Sequence, residues 1–191
     1  PASRSGRGLF AGELVKQFSM LPVEEEGRLH DPKLRENFIG KVLAYQRFRG
    51  LISEKLRARD LIEFHSSHKL SIIAHDPGAQ KELGQLVADA GRAVVQDLTF
   101  QYGRLFMETL SKIATNRKRS NVLQHIMGYL KKHLDSPDKR EMAELIGQYR
   151  QGLLPLVVPL TLLRHHLNRH PVPEWVKQQT YLNPYLQELM S

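Results

Sequence analysis

From Asp31 onward, the hydrophobic residues of this 191-residue chain recur at helical intervals, and residues that start or stop helices separate the segments. Asp31-Pro32 and Ser136-Pro137 each pair a capping side chain with a proline that suits the first turn of a helix. Asp76-Pro77-Gly78 interrupts a second pattern, and Gly152 stops another. The sequence therefore predicts an all-α fold, with one multi-helix globular domain over residues 30–191.

Seven longer helices and a helical C-terminal segment are expected from this spacing. Their predicted ranges are 31–50, 53–74 or 57–74, 78–90, 94–114, 116–134, 136–152, 155–170 and 174–190. In the first helix, Leu34, Phe38, Val42 and Tyr45 share the face that we expect to point into the core. The helix of residues 155–170 is apolar all round at its start, so a central, buried position is expected for it.

Residues 1–29 differ in character from the rest of the chain. A short helical pattern over residues 9–18 is followed by an apolar piece at residues 20–23 and by three glutamates. This order is typical of the last helix and strand of an α/β unit. We interpret residues 1–29 as the end of a preceding α/β domain or as a linker. Because the chain starts at Pro1 without an initiator methionine, a processed or truncated product is expected.

Composition excludes several classes of site. The chain has no cysteine, so its own thiolates cannot form disulfides, zinc sites or iron–sulfur clusters, and a cytoplasmic setting is expected. No run reaches the ~18 apolar residues that a membrane span needs. The formal net charge of +8 favours anionic partners such as nucleic acid, nucleotides or acidic proteins, or else serves solubility alone.

The stretch EFHSSHKLSIIAHD, residues 63–76, carries three histidines on one predicted helix. At about 100° per residue, His65, His68 and His75 share one face of that helix. His65 and His68 could share a metal ion with a third ligand, but His75 lies ~10 Å further along the axis. No HExxH motif and no carboxylate at i+3 or i+4 from these histidines supports a metal. The spacing favours packing histidines or, with Lys69 beside them, contact with an anion.

Three basic residues, Arg117, Lys118 and Arg119, open the helix that is predicted from residue 116, in a stretch that lacks acidic residues. Positive side chains oppose the helix dipole at an N-terminus, so helix stability does not explain them. Backbone N–H groups at the same end favour an anion, and Asn121 and His125 follow on the same helix. The pattern favours contact with phosphate or nucleic acid over a merely solvated basic loop.

A second acid-free stretch, residues 145–173, carries arginines and histidines near its end. If the helix of residues 155–170 packs centrally, Arg164 and His165 would face the same cavity as His65 and His68. The alternative is that these basic residues only favour the dipole at the last turn of their helix.

Several segments together resemble one bacterial family. The residues that carry the resemblance are DLIEFHSSHKLSIIAHDP (60–77), LGQLVA (83–88), SNVLQHIMGYL (120–130) and YRQGLLPLVVPLTLLRHHL (149–167). In this order they are similar to the YbgA-like family, which is described as a domain of unknown function. The resemblance covers most of the chain, from about residue 30 to residue 185.

The N-terminal segment extends the resemblance. GRGLFAGELVKQF followed by LPVEEEGRLHDPKLRENF is similar to the junction in longer proteins where a thiouracil-desulfidase-type domain precedes the YbgA-like domain. The resemblance implies that the preceding domain holds an iron–sulfur cluster through cysteines and removes sulfur from thiolated uracil compounds. This chain lacks cysteine, so no cofactor is expected in it, and the cluster belongs only to the missing domain.

Three functions follow as hypotheses. The leading one is a non-catalytic accessory module that binds a nucleotide or nucleic acid, RNA rather than DNA, for the attached desulfidase-type domain. The alternatives are a histidine-based, metal-assisted enzyme and a docking or homodimerisation module. The expected contacts of the leading hypothesis are Arg117, Lys118, Arg119, Asn121 and His125, with His65, His68 and Lys69 lining a nearby pocket.

Overall fold

A computed structural model of the chain describes residue 18, residues 20–52 and residues 55–183. The helices are α1 (Pro32–Leu51), α2 (Ala58–His75), α3 (Pro77–Ala88), α4 (Val95–Ser111), α5 (Asn116–Leu130), α6 (Ser136–Gln151), α7 (Val157–Arg169) and α8 (Glu174–Lys177). Short 3₁₀ segments lie at Glu26–His30 and Thr180–Leu182. The described residues contain no strand, and the all-α prediction is confirmed for them.

Capping side chains set the helix starts as the sequence predicts. One Asp31 carboxylate oxygen accepts from the backbone N–H groups of Lys33 at 2.8 Å and Leu34 at 3.1 Å. Asp76 caps α3 in the same way, and Asp135 rather than Ser136 caps α6. Gly152 ends α6 with a φ of 82°, a left-handed conformation that glycine adopts without strain.

Buried apolar side chains form two clusters that share helix α2. An N-terminal cluster packs residues of α1 to α4, and a C-terminal cluster packs α5 to α8 and the residues after them. From α2, Leu61 and Ile72 enter the N-terminal cluster, whereas Leu70 and Ala74 enter the C-terminal one. Helix α2 is therefore the central helix of the fold.

The prediction that the helix of residues 155–170 is central is wrong. Helix α7 packs on α5, α6 and α8, and Val157 in its first turn is 59% exposed. Leu153, just before this helix, is also exposed, so the apolar residues around its start are not enclosed. An apolar composition over two turns does not reveal how many neighbours a helix has.

The inward face of α1 also differs from the prediction. Leu43, Ala44 and Phe48 are its buried residues, whereas Val42 is 37% exposed. The Phe48 ring lies directly over Gly103 of α4, where an added Cβ would come within 2.3 Å of Phe48 Cζ. The absence of a side chain at Gly103 lets α1 and α4 approach closely. The face of α1 that carries Phe48, rather than the face that carries Val42, therefore points into the core.

The N-terminal predictions fall only partly within the described residues. The helical pattern at residues 9–18 lies almost wholly outside them. Met20, Leu21 and Val23 are described and form no strand, so the strand predicted there is wrong, and Met20 instead packs against the N-terminal cluster. No described helix combines the length and apolar character that crossing a bilayer requires.

Candidate functional site

A small pocket with both polar and apolar lining residues lies where the two hydrophobic clusters meet, with walls from α1, α2, α5 and the Thr180–Leu182 segment. Its volume is about 80 Å³. One water needs ~10–15 Å³ of such volume, so the pocket has room for several waters or one small polyatomic ion. The lining residues are Glu36, Asn37, Gly40, Ala44, Arg47, His68, Ser71, Ala74, His75, Leu110, Arg119, Leu156, Thr180 and Tyr181.

An ion pair between Arg119 of α5 and Glu36 of α1 crosses one side of this pocket. Arg119 Nη1 lies 2.5 Å from Glu36 Oε1, and the two side chains are 12% and 35% exposed. Burial lowers the pKa of the Arg119 guanidinium, but Glu36, Tyr149 and Tyr181 together raise it by more, so the pKa lies above its ordinary value. Arg47 is a second guanidinium among the lining residues, against a single carboxylate.

His68 is the most deeply buried titratable residue of the pocket, at 3% exposure. Its Nδ1 lies 2.8 Å from the backbone oxygen of Phe64, which can only accept, so Nδ1 carries the proton. Burial, and then the positive charge of Arg47, lower the pKa of His68 to about 4 although the Phe64 carbonyl bond raises it. At neutral pH, His68 is therefore an uncharged imidazole whose Nε2 bears a lone pair.

Aromatic packing fixes the orientation of this imidazole. The His68 ring stacks on Phe64 with centroids 4.0 Å apart, and the Phe106 ring lies edge-on at 5.4 Å. Phe48 packs behind Phe64 at 5.6 Å, over Gly103. The N-terminal cluster is thus the rigid wall that holds His68 in the pocket.

His75 approaches the same pocket two turns further along α2. Its Nδ1 lies 2.6 Å from the backbone oxygen of Lys112, so this nitrogen also carries the proton. Burial lowers the pKa of His75 to about 4, and the charges of Arg119 and Lys118 act in the same direction. Lys118 Nζ donates to the backbone oxygen of His75 at 2.6 Å, which connects α5 to the end of α2.

Several buried polar atoms beside the pocket have no hydrogen-bond partner among the described residues. His68 Nε2, Asn37 Oδ1 and the Tyr181 hydroxyl belong to pocket-lining side chains, and the Tyr149 hydroxyl lies near Arg119. Burial raises the pKa of both tyrosines, so both hydroxyls are protonated at neutral pH. Unpaired buried polar atoms are costly, which favours a ligand or ordered water that pairs with them.

A larger groove adjoins the pocket and shares Glu36, Arg119 and Leu156 with it. Its volume is about 710 Å³, within the range of small-molecule sites. Besides Glu36 and Arg119, its charged lining residues are Lys33, Arg117 and Arg150. The groove is therefore a basic surface that leads to the pocket.

The structure separates the residues that the sequence placed in one site. His68 and Arg119 line the pocket, Arg117 lines the groove, and Lys118 holds the backbone of His75. His65 instead bonds through Nδ1 to the Tyr102 hydroxyl at 3.1 Å. Burial, followed by the charge of Lys69, lowers the pKa of His65.

The remaining predicted contacts lie on an outer aromatic patch or near it. Lys69 Nζ lies 5.6 Å from the centre of the Trp175 ring, and the His125 ring packs against Tyr129, which in turn contacts Trp175. Asn121 is exposed on the same helix as His125. We call Lys69, His125, Tyr129 and Trp175 the outer patch.

The prediction that Arg164 and His165 face the histidine cavity is wrong. Both are exposed on α7, and His165 lies beside Arg169 and His166 rather than beside His65 or His68. The reason is the peripheral position of α7. Across the described parts of the chain, no three histidine or carboxylate side chains lie together as a metal site would need.

Sequence reasoning missed most of the α1 wall of the pocket. Glu36, Asn37, Gly40 and Arg47 lie on one helical face, and the small residues Gly40 and Ala44 at i, i+4 leave space there. That polar, small-residue face was the available signal. Tyr181 had no local signal, because the packing of the C-terminal segment on α2 brings it to the pocket.

Comparison with known proteins places this chain in a family. The family model described as protein of unknown function (DUF1722) matches residues 69–185, more than half of the chain. The chain belongs to the DUF1722 family. The match includes His75, Arg119 and Tyr181, whereas the α1 wall and His68 precede it.

A curated relative supports the same assignment. The uncharacterized protein YbgA of Escherichia coli strain K12 is 32% identical over 142 residues, which span 74% of this chain and 83% of that protein. The resemblance to YbgA-like proteins is thus confirmed, and this DUF1722 chain matches no solved structure.

Proposed function

We propose that this DUF1722 domain binds a phosphate-bearing ligand, a nucleotide or an RNA strand, with the phosphate in the pocket and the nucleoside in the groove. The observation that carries the proposal is the position of Arg119. Its guanidinium is nearly buried and belongs to both cavities. A buried guanidinium that can present a planar pair of N–H donors is well suited to phosphate.

The volumes of the two cavities support placing the phosphate in the pocket and the nucleoside in the groove. At about 80 Å³, the pocket takes a compact group and excludes a nucleoside. The groove, at about 710 Å³, has room for a base and a ribose. Charge supports the same division, since Lys33, Arg117 and Arg150 surround the groove and would contact neighbouring phosphates of a longer strand.

In the longer protein that the sequence resembles, such a domain would act as a non-catalytic accessory module. It would hold a thionucleotide or thiolated RNA by its phosphate, while the desulfidase-type domain removes the sulfur. Because the phosphate contacts carry no base information, one module would serve several thiolated substrates.

Calorimetric titration with inorganic phosphate and then with AMP tests the proposal. The blocking variant is Gly40→Leu on the α1 wall, where an added Cβ meets nothing within 4 Å and further side-chain atoms would enter the pocket. The matched control is Gly147→Leu on α6, which is equally open and lies away from the pocket. Leucine is a better helix former than glycine, so neither variant should unfold the protein.

The wild-type protein and Gly147→Leu are expected to bind both probes, and Gly40→Leu should bind them at least tenfold more weakly. Since phosphate recognition here is electrostatic, the affinity should also fall as salt is raised. Absence of binding to either probe by the wild-type protein at low salt, or equal binding by the two leucine variants, contradicts the proposal.

A further inference from the structure

The pocket presents acceptors as well as cations, and phosphate alone cannot satisfy them. His68 Nε2 and Asn37 Oδ1 are buried, and neither has a partner in the described part of the chain. Asn37 already uses its amide nitrogen to donate to the backbone oxygen of Leu110 at 3.2 Å. The dianionic phosphate of a nucleotide monoester offers only acceptor oxygens, so it would leave both atoms unpaired.

Two features keep His68 an acceptor rather than a cation. The Phe64 carbonyl holds the proton on Nδ1, and Ser67 Oγ, at 3.1 Å from the same nitrogen, itself donates to that carbonyl. The titratable groups that act on the ring are the Arg47 guanidinium from α1 and the His65 imidazole one turn back on α2, and both disfavour protonation of His68. The ligand must therefore bring its own hydrogen-bond donor to Nε2.

The pocket size places that donor next to the anionic group. A volume of about 80 Å³ holds roughly five to eight groups the size of water at ~10–15 Å³ each, enough for a phosphate and a few adjoining atoms but not for a whole nucleoside. In a ribonucleotide, the 2′-hydroxyl beside a 3′-phosphate is a donor at this position. A deoxyribonucleotide has no such donor.

Building on the proposed phosphate site, we propose that the pocket recognises a 3′-phosphate together with the neighbouring 2′-hydroxyl, which donates to Nε2 of His68. The site is therefore specific for ribonucleotides and RNA ends over their deoxy counterparts. Arg119 contacts the phosphate, and Nε2 of His68 accepts a hydrogen bond from the ribose 2′-hydroxyl. The 2′-hydroxyl is the group by which proteins distinguish RNA from DNA.

The test compares 3′-AMP with 2′-deoxy-3′-AMP by calorimetry at pH 7.5 and low salt. We expect the wild-type protein to bind 3′-AMP at least tenfold more tightly, because the deoxy compound leaves a buried acceptor unpaired. His68→Phe, which keeps a ring to stack on Phe64, should bring the ratio of the two affinities close to one. His68→Gln, whose side-chain amide reaches the position of Nε2, should retain part of the preference.

The control is His133→Gln, an exposed histidine beyond the far end of α5, which should behave as the wild-type protein does. Thermal unfolding of each variant shows whether it is folded, and the wild-type comparison alone decides the question if His68→Phe is not. Equal binding of the two nucleotides by the wild-type protein overturns the inference and leaves phosphate binding intact. Binding of neither nucleotide overturns both.

Discussion

His68 and Lys69 are neighbours in the sequence, yet they belong to opposite sides of the molecule. His68 is 3% exposed and stacks on Phe64 inside the pocket. Lys69 is only partly buried, on the outer patch, where its ammonium lies over the Trp175 ring. Successive residues of a helix differ by about 100° in direction, and α2 has a hydrophobic cluster on each side.

The difference shows what separates a binding pocket from a surface of similar composition. The pocket and the outer patch each combine a cation, a histidine and aromatic rings. His68 is buried and the Arg119 side chain is only 12% exposed, and of these two regions only the pocket has buried polar atoms without partners in the described structure. Desolvation strengthens the interaction of each pocket charge with a ligand, whereas solvent and salt weaken the interactions of charges on the outer patch.

The largest expected effect comes from the ion pair that spans the pocket. Arg119→Gln should weaken the binding of inorganic phosphate about a hundredfold, because it removes a desolvated cation and leaves Glu36 facing the anion. Glu36→Gln should strengthen binding about tenfold, because Arg119 then faces the ligand alone. Calorimetric titration of both variants measures the effect, and a change in the same direction for the two would disprove the assigned roles.

Acid should destabilise the whole domain through the two buried histidines of the pocket. The folded-state pKa values of His68 and His75, about 4, lie below the ordinary value of 6.5, so the unfolded chain binds more protons in this interval. The free energy of unfolding should therefore fall as pH drops from 6.5 to 4, by roughly 2–3 kcal/mol from His68. Denaturant unfolding across this pH range measures the loss.

His68→Gln should remove its share of that pH dependence. A wild-type stability that is flat between pH 6.5 and 4 would contradict the buried, uncharged state of both histidines.

Alanine substitutions at two glycines test the close packing of α1 on α4 behind His68. Gly103→Ala should lower the free energy of unfolding by roughly 1–3 kcal/mol, because its Cβ would overlap the Phe48 ring. Gly128→Ala on α5, where nothing lies within 4 Å of the added atom, should instead raise it by about 0.5–1 kcal/mol. Thermal denaturation compares them, and similar values for the two variants would argue against the close approach of α1 and α4.

The smallest effects are expected from single surface charges. Arg117→Gln in the groove should weaken binding of a short RNA only a few-fold and lower its salt dependence by about one phosphate contact. Lys69→Gln on the outer patch should change neither quantity. Fluorescence anisotropy at several salt concentrations distinguishes them, and a larger loss from Lys69→Gln would move the binding surface to the outer patch.

Local signals in the sequence predicted the seven longer helices and most of their starts well. The C-terminal segment, predicted as helical over 174–190, forms only α8 and a 3₁₀ turn within its described residues. Asp31, Asp76 and Gly152 act where their residue types suggested, because a cap depends on only the next few residues. The facing of α1 and the position of α7 were not predictable in this way. Both depend on distant residues: Gly103 decides which side of α1 is buried, and the contacts of α5 and α6 leave half of α7 exposed.

The candidate site was predictable only in part, for the same reason. His68 and Arg119 were singled out from a histidine face and a basic helix start, and the structure brings these two to one pocket. Glu36, Asn37 and Tyr181 come from segments far away in the sequence, and their contribution appears only once α1 and the C-terminal segment pack on α2. The basic helix start itself is not an open anion site, since the Thr115 side chain caps it and Arg119 points inward.

The position of α2 between the two clusters has a consequence for how the domain comes apart. Helix α2, eighteen residues long, supplies buried side chains to both clusters. Neither half can therefore unfold without removing packing from the other. The domain should unfold as one cooperative unit, with the amides of α2 among the last to exchange with solvent. A ligand held against His68 and Arg119 would then slow opening in both halves at once, although it touches only the boundary between them.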